Sequence, residues 1–515
     1  MTHRTLRSLT AGAILLVAPF AYAQDDDTDT GLPAAPAAPA TPGGAAENTS
    51  GTATAAATPT TAKADLKLDT KAEPAPPTDA KADAANEGLT VHVKGWSLGV
   101  YGFAALNVMH DSTQSFSTAA GNTILQRVGT FRGNNNQLQF TARDSRIGLK
   151  IGAPATSWVK ASATVETDFG STQPTEVNEQ TTYITNPLRM RHYYIKAETP
   201  VVDVLAGQYH DLFGWGGKGF YPSTLAFLGV TGEIYHRQPQ FRLSKTISSA
   251  AVDFEVAVAA ARPVQRASGL PDGEAGLRLA LNGWKGIGQQ GYGQPALSPL
   301  SVGVSGIGRR FEVAQFVEFP GGSNSVNGWG AAANVFLPVI PAKSVSDRGN
   351  ALSITGEFST GSGISDMYNS DLTGGVLFPT LPNPQNRGVD PANPPPIYIP
   401  NVDSGILTYD GNGKVRLINW QAFVIGAQYY LPIGAGKVWL SGNFSQLKSN
   451  NIVKYTPIAG QSAIYKQARY VDGSVFVALT EALQIGYSFQ QVEQTFADNV
   501  KAKNYRNEGA LHFFF

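Results

Sequence analysis

Cysteine is missing from all 515 residues. Its absence excludes disulfides, thiolate metal sites and cysteine nucleophiles, and it suits a chain that crosses an oxidising compartment unfolded. An excess of either charge is missing as well: 39 basic residues balance 39 acidic ones. A nucleic-acid partner would want a basic excess, so none is expected. The short block Asp25-Asp26-Asp27 is too small to make an acidic tail. Beyond the first residues, no run approaches the ~20 continuous apolar positions of a transmembrane helix. The seven histidines are His3, His92, His110, His192, His210, His236 and His512. None has the spacing of a metal motif such as HExxH, and no GxSxG elbow or P-loop is present. His192, His210 and His236 fall around one loop, where ordinary loop polarity explains them as well as a metal site does. The expectation is a non-enzyme with no cofactor and no metal.

What is present is glycine (55), phenylalanine (25) and tyrosine (19). The chain opens MTHRTLR, with Arg4 and Arg7, followed by the apolar LTAGAILLVAPF and the small-residue site Ala21-Tyr22-Ala23. That three-part layout is a secretory signal peptide over 1–23. Residues 24–88 are Ala, Pro, Thr and Asp without an aromatic. Such a segment cannot bury enough surface to offset its ordering entropy, so a disordered leader is expected, either a spacer or a periplasmic anchor or oligomerisation segment.

From about Leu89 the period becomes two. Val159, Ala161, Ala163 and Val165 alternate with Lys160, Ser162, Thr164, Glu166 and Asp168. Val252, Phe254, Val256 and Val258 alternate with Asp253 and Glu255, and Leu483, Ile485, Tyr487 and Phe489 with Gln484, Ser488 and Gln490. The pattern predicts strands near 97–109, 137–151, 158–169, 188–198, 202–209, 239–247, 252–261, 275–282, 300–307, 328–337, 351–359, 417–431, 437–447, 472–479, 483–492 and 505–515. The second changes face midway, which predicts a bulge near Asp144. Short connections (153–157, around Pro200, 248–251, 432–436, 480–482) alternate with long ones (110–136, 170–187, 210–238, 308–327, 360–416, 448–471). The fold class is therefore all-β: a transmembrane antiparallel barrel of about sixteen strands over 89–515, with long extracellular loops and short periplasmic turns. A soluble barrel would keep its apolar face inside, whereas here the opposite face carries charge in strand after strand. The chain ends LHFFF, with Tyr505, Leu511, Phe513 and Phe515 on one face. That ending looks like the signal read by the bacterial outer-membrane assembly machinery, carried by Phe513 and Phe515.

Arginines cluster on expected lumen faces: Arg143, Arg146, Arg189, Arg191, Arg242 and Arg278. Glu166, Asp168, Asp253 and Glu255, with Glu357, share that face. Fixed guanidiniums facing water attract anions, and paired with carboxylates they brace the wall. Both readings stand, with a lean to weak anion preference.

ARDSRIGLKIG (142–152), LRMRHYYIKAE (188–198), VLAGQYHDLFGW (204–215), HRQPQFRLS (236–244) and LPDGEAGLRLALN (270–282) occur in an order that resembles trimeric general porins and DcaP-like porins. The resemblance implies a Gram-negative outer-membrane homotrimer, among lipid and lipopolysaccharide, with both barrel termini periplasmic. It implies passive diffusion of small hydrophilic solutes, with the third long loop folded inward as a constriction. Here that loop is about 210–238, with Asp211, Trp215, Lys218 and Glu233, of which Asp211 and Glu233 would face basic wall residues. The alternative is a non-conducting barrel used for adhesion or envelope tethering.

Overall fold

β-branched and aromatic residues at every second position cannot make one helical stripe, and the chain extends into strands instead. The computed structural model describes residues 89–170, 188–264, 268–289, 295–314, 323–369, 403–410, 414–456 and 460–515. The signal peptide expected over 1–23 and the leader over 24–88 lie outside the described residues, as do most of 170–187 and 360–416.

The strands are β1 (Leu89–Val93), β2 (Trp96–Asp111), β3 (Gln137–Thr141), β4 (Arg146–Gly152), β5 (Lys160–Asp168), β6 (Arg189–Glu198), β7 (Asp203–His210), β8 (Arg237–Ser248), β9 (Val252–Ala261), β10 (Asp272–Gln289), β11 (Pro295–Ala314), β12 (Ser323–Ile340), β13 (Leu352–Ser362), β14 (Leu407–Tyr409), β15 (Val415–Leu417), β16 (Asn419–Tyr430), β17 (Val438–Ser449), β18 (Tyr465–Ala478), β19 (Leu483–Phe496) and β20 (Lys501–Phe514). Eighteen of them form one sheet, and β14 with β15 makes a separate hairpin. β3 and β4 share one stave, both pairing with β2 on either side of the break at 142–145. β1 is an added arm folded back on the start of β2. The remaining count is sixteen staves, each antiparallel to the next. The ring closes where β20 returns to β2, from Phe103 opposite Phe514 to Asp111 opposite Arg506.

Gly102 lies between the seam and the second stave, paired with Ile147 of β4 on one side and bonded to Phe515 on the other. Its φ is +154°, and a Cβ there would come within 2.1 Å of the Arg146 carbonyl oxygen. With no side chain the backbone passes, and Gly102 exchanges two hydrogen bonds with Phe515, at 3.0 and 3.1 Å.

The outer belt is apolar. Leu277, Leu279, Val302, Val304, Phe423, Ile425, Tyr487 and Phe489 are exposed, while Glu166, Gln494, Asn504 and Arg506 on the other face are fully buried. That is the reverse of a soluble barrel. On β20 and the residue that follows it, Leu511, Phe513 and Phe515 are exposed, whereas Ala510, His512 and Phe514 point inward. The break at 142–145 lets Leu138 and Phe140 share the exposed face with Ile147, as the expected bulge requires.

Strands run further at the end carrying the long loops than periodicity implied. The segments expected as connections at 308–327 and 448–471 are partly strand, in β11 and β12 and in β17 and β18. At the turn end, the segment 283–299 is likewise mostly strand, in β10 and β11. The polarity inverts near the loop end. Phe311 and Val313 are buried inside, beneath loops, while Arg310 and Glu312, which alternate with them, face out. An apolar-out pattern therefore stops before the strand does.

Candidate functional site

The interior is organised by the third long loop (211–236), which leaves β7 and re-enters at β8. Its first turn is fixed to the wall at β10 and β11. The Leu212 and Phe213 amides donate to Glu274 Oε2 on β10 at 2.7 and 3.1 Å, and the Gly214 amide donates to Ser305 Oγ on β11 at 2.8 Å. Trp215 is buried, with its indole against Gly276 and Gly303 and its Nε1 donating to the Val304 carbonyl at 2.9 Å. Phe213 lies over Gly330 in the same way. The middle of the loop crosses to other strands. Ser441 Oγ and Asn443 Nδ2 on β17 donate to the Ser223 carbonyl at 3.0 and 2.9 Å, and Ser445 Oγ donates to that of Thr231 at 2.6 Å. Phe227, at φ +54°, packs between Phe103 at 5.5 Å and His512 at 4.7 Å, centroid to centroid. The loop is thus anchored on opposite walls and spans the interior. Its end is held on β13, where the Ile234 amide donates to Glu357 Oε1 at 2.7 Å.

Two more loops pack onto it. Arg506 pairs with Asp111 and donates to the carbonyls of Ser117 and Thr118, each at 2.8 Å, drawing the first loop (112–136) inside. Thr231 Oγ1 donates to the Gly121 carbonyl at 3.2 Å, joining the first loop to the third. The stretch after β13 joins through the Tyr235 amide donating to the Met367 carbonyl at 3.0 Å. Under this cover the inward side chains of β16, β17 and β20 are buried throughout. On the opposite side, Lys160, Lys196 and Glu198 of the wall and Lys218 of the third loop keep between 31% and 69% of their side-chain surface.

The charged residues expected to line a lumen are brought together in clusters. Arg191 is buried and bridges Glu166 and Asp168, each at 2.7 Å, and Arg189 reaches Asp168 at 2.6 Å. Arg146 stands 3.5 Å from Glu166, which also accepts from Tyr101. Glu255 is shared by Lys218 at 2.8 Å and Arg278 at 2.9 Å. Glu198 is shared by Lys196 and Lys160. In all three clusters cations outnumber carboxylates. Arg143 donates to the Phe169 carbonyl, Arg242 to Gln240 and the His210 carbonyl, and Asp253 accepts from Asn282. Arg146, Arg191 and Arg242 therefore do not present themselves along an open lumen. Cross-strand neighbours and the third loop cover them, and the half-exposed cations are Arg189, Lys160, Lys196 and Lys218.

Asp211 and Glu233 do not face a basic wall. Asp211 holds His236 of its own loop at 2.7 Å, and Glu233 turns back on the Val230 amide at 2.8 Å. Burial lowers His236, but the Asp211 carboxylate more than offsets this, so the imidazole titrates above its usual range. Burial, and then the neighbouring Glu357 carboxyl, push Glu233 well up. His192 and His210 do meet, with ring centroids 4.8 Å apart, whereas His236 is engaged by Asp211.

The sequence reading missed Arg309 and Arg506. Arg309 is buried between Asp272 at 2.9 Å and Asp366, and it lies in the segment read as a connection. Arg506 sits on the inward face of β20, and its alternation with Tyr505 and Asn507 was the available signal.

The sequence matches no family model and no curated protein. Solved structures do resemble it. The outer membrane channel DcaP of Acinetobacter baumannii aligns with a TM-score of 0.54 at 17% identity, over 83% of this chain and 99% of that one. Salmonella typhi OmpF, in complex with daunomycin, gives 0.46 at 8% identity, over 83% and 100%. Pseudomonas putida OprB gives 0.45 at 12%, over 82% and 94%. The likeness to DcaP is one of fold alone, and the porin-like fold expected from the motifs is the fold observed.

Proposed function

We propose that the protein is an outer-membrane porin that lets small hydrophilic solutes diffuse passively. The observation that carries this reading is a closed sixteen-stave barrel, apolar outside, with a loop anchored across its interior and half-exposed charge along one wall. The path runs beside β5 to β10, past Lys160, Lys196, Lys218 and Arg278. Cations outnumber carboxylates there, which supports weak anion preference. The turns and both barrel termini face the periplasm and the long loops face outward, as in bacterial outer-membrane barrels. DcaP, which shares the fold, is an outer membrane channel. The homotrimer rests on the motif resemblance.

One observation favours a second reading. The complete cover over the inner face of β16, β17 and β20 suits a plugged barrel used for adhesion or tethering. Planar-bilayer recording in a salt gradient separates the two. Steady open steps support the porin. A folded barrel that inserts without conducting overturns it and leaves the plugged reading.

A further inference from the structure

The pairing of β10 with β11 does not stop at the turn end of the wall. It runs to Leu281 opposite Leu300, and the next pair is Lys285 with Pro299, so Asn282, Gly283 and Trp284 stand opposite no residue of β11. An extra stretch in one strand bends the pair. The bend is held in place: Asn282 Nδ2 donates to Asp253 Oδ1 at 2.9 Å, and Trp284 Nε1 donates to the Pro338 carbonyl. Beyond it the pairing resumes, from Lys285 opposite Pro299 to Gln289 opposite Pro295. Residues 290–294, which join the two arms, lie outside the described residues. The arms turn inward. Gly286, Ile287, Gly288, Ala296 and Ser298 are buried, whereas the turn at 248–251 is exposed.

The surfaces that bury them are inner faces of the wall. A Cβ at Gly286 would meet Pro338 Cβ at 2.6 Å on β12 and Ser353 Oγ at 2.7 Å on β13, so a bare glycine lets the arm lie flat there. Gln428, inward on β16, donates to the Ile287 carbonyl. The Ile287 side chain joins the cluster of Tyr430, Trp439, Phe476 and, from the third loop, Leu225. Trp439 stacks on Tyr430 at 5.5 Å and on Phe476 at 4.9 Å, centroid to centroid. An aromatic patch on an inward face is costly to leave in water, and the hairpin helps to cover it. We propose that this hairpin is a second constriction of the channel, set at the turn end. It fills the mouth over β12, β13 and β16, so that solutes leave beside β5 to β10. It lowers the size limit without adding charge, because residues 286–298 carry no charged side chain. This rests on the porin reading above.

The test uses the full chain in planar bilayers and in liposomes swollen by neutral sugars of increasing size. Residues 286–298 are replaced by Asn-Gly, a two-residue turn suited to the antiparallel pair Lys285 and Pro299. Single-channel conductance should rise roughly 1.5-fold or more, and larger sugars should enter. The reversal potential in a salt gradient should stay at the wild-type value, since the residues removed are uncharged. Unchanged conductance with an unchanged sugar limit would overturn the proposal, and so would a shifted reversal potential. Placement is tested without relying on a shortened barrel that folds. The chain has no cysteine, so Ile287→Cys and Ser249→Cys each supply a single thiol. In the folded barrel a water-soluble maleimide should label the first at least about tenfold more slowly than the second. Equal rates would put the hairpin outside the lumen and overturn the proposal. A wild-type barrel that does not conduct would instead fail the porin reading, on which the labelling does not depend.

Discussion

The indole of Trp215 occupies the space that a side chain at Gly303 would need. A Cβ at Gly303 would meet Trp215 Cδ1 at 2.6 Å, and one at Gly276, on the neighbouring strand, would meet the same ring at 2.9 Å. The third loop is thus keyed to the wall by two missing side chains. Gly303→Leu should expel the indole, at an overpacking cost of about 1–3 kcal/mol. The expected result is larger single-channel conductance, with unheated gel migration still that of a folded barrel. Wild-type conductance would show that this loop does not set the channel's width.

That keying also marks what a sequence can and cannot say. The sixteen staves were legible, because every lipid-facing stretch repeats apolar side chains with period two, as in Leu277, Leu279 and Leu281. The bulge near Asp144 was legible for the same reason, as a change of phase. The strand ends were not. Near the loop end the partners are packed loops inside and polar surroundings outside, so Phe311 and Val313 turn inward and the pattern reverses. Nor was the pairing of charges legible. Arg191 meets Glu166 and Asp168 through the register of β5 with β6, and Glu233 is turned from the wall by a hydrogen bond to its own loop. Spacing fixes a face, but long-range register chooses the partner.

Ion selectivity should therefore follow the half-exposed lysines. Lys196→Gln with Lys218→Gln should move the reversal potential in a salt gradient toward the cation side. The shift should be larger at 0.1 M than at 1 M salt, because the screening length falls from about 10 to about 3 Å. Arg191→Met should act differently. It leaves Glu166 and Asp168 short of a buried partner, a loss typically of about 3–5 kcal/mol. Its effect should appear as a lower temperature of unfolding on heated gels. If Arg191→Met shifts selectivity more than the double lysine change does, the path runs elsewhere.

Loop docking should weaken as pH rises. His236 is raised in the folded state, so its contribution is complete below the ordinary histidine pKa of about 6.5 and is lost as pH rises through the folded value. The groups acting on it are Asp211 and Asp366, opposed by Arg309. Glu233 is also raised, by burial and Glu357, so its contribution is complete below about 4.3 and is lost on the alkaline side as well. Both signs agree. Conductance noise from loop motion should grow between pH 5 and pH 9, and Glu233→Gln should remove part of that growth. Noise that is flat with pH, or greatest in acid, would contradict the assignment.

Barrel closure should depend on Gly102 more than on the ring of Phe515. The seam is made by backbone bonds between these two residues, and the Phe515 side chain points outward, 39% exposed. Phe515→Leu keeps both bonds and an apolar outward group, so the finished barrel should be as heat-resistant as wild type. Gly102→Val places a branched side chain where the first carbon already meets the Arg146 carbonyl oxygen at 2.1 Å. The backbone would have to shift away from β4, at the residue whose two bonds to Phe515 begin the pairing of the first stave with the last. With the seam open, β20 exposes a row of unpaired backbone groups that lipid cannot satisfy. Folding each variant into vesicles and comparing heated with unheated migration reads the outcome directly. Gly102→Val should give no compact band and Phe515→Leu a full one. A compact band from Gly102→Val would mean that the seam closes in another register.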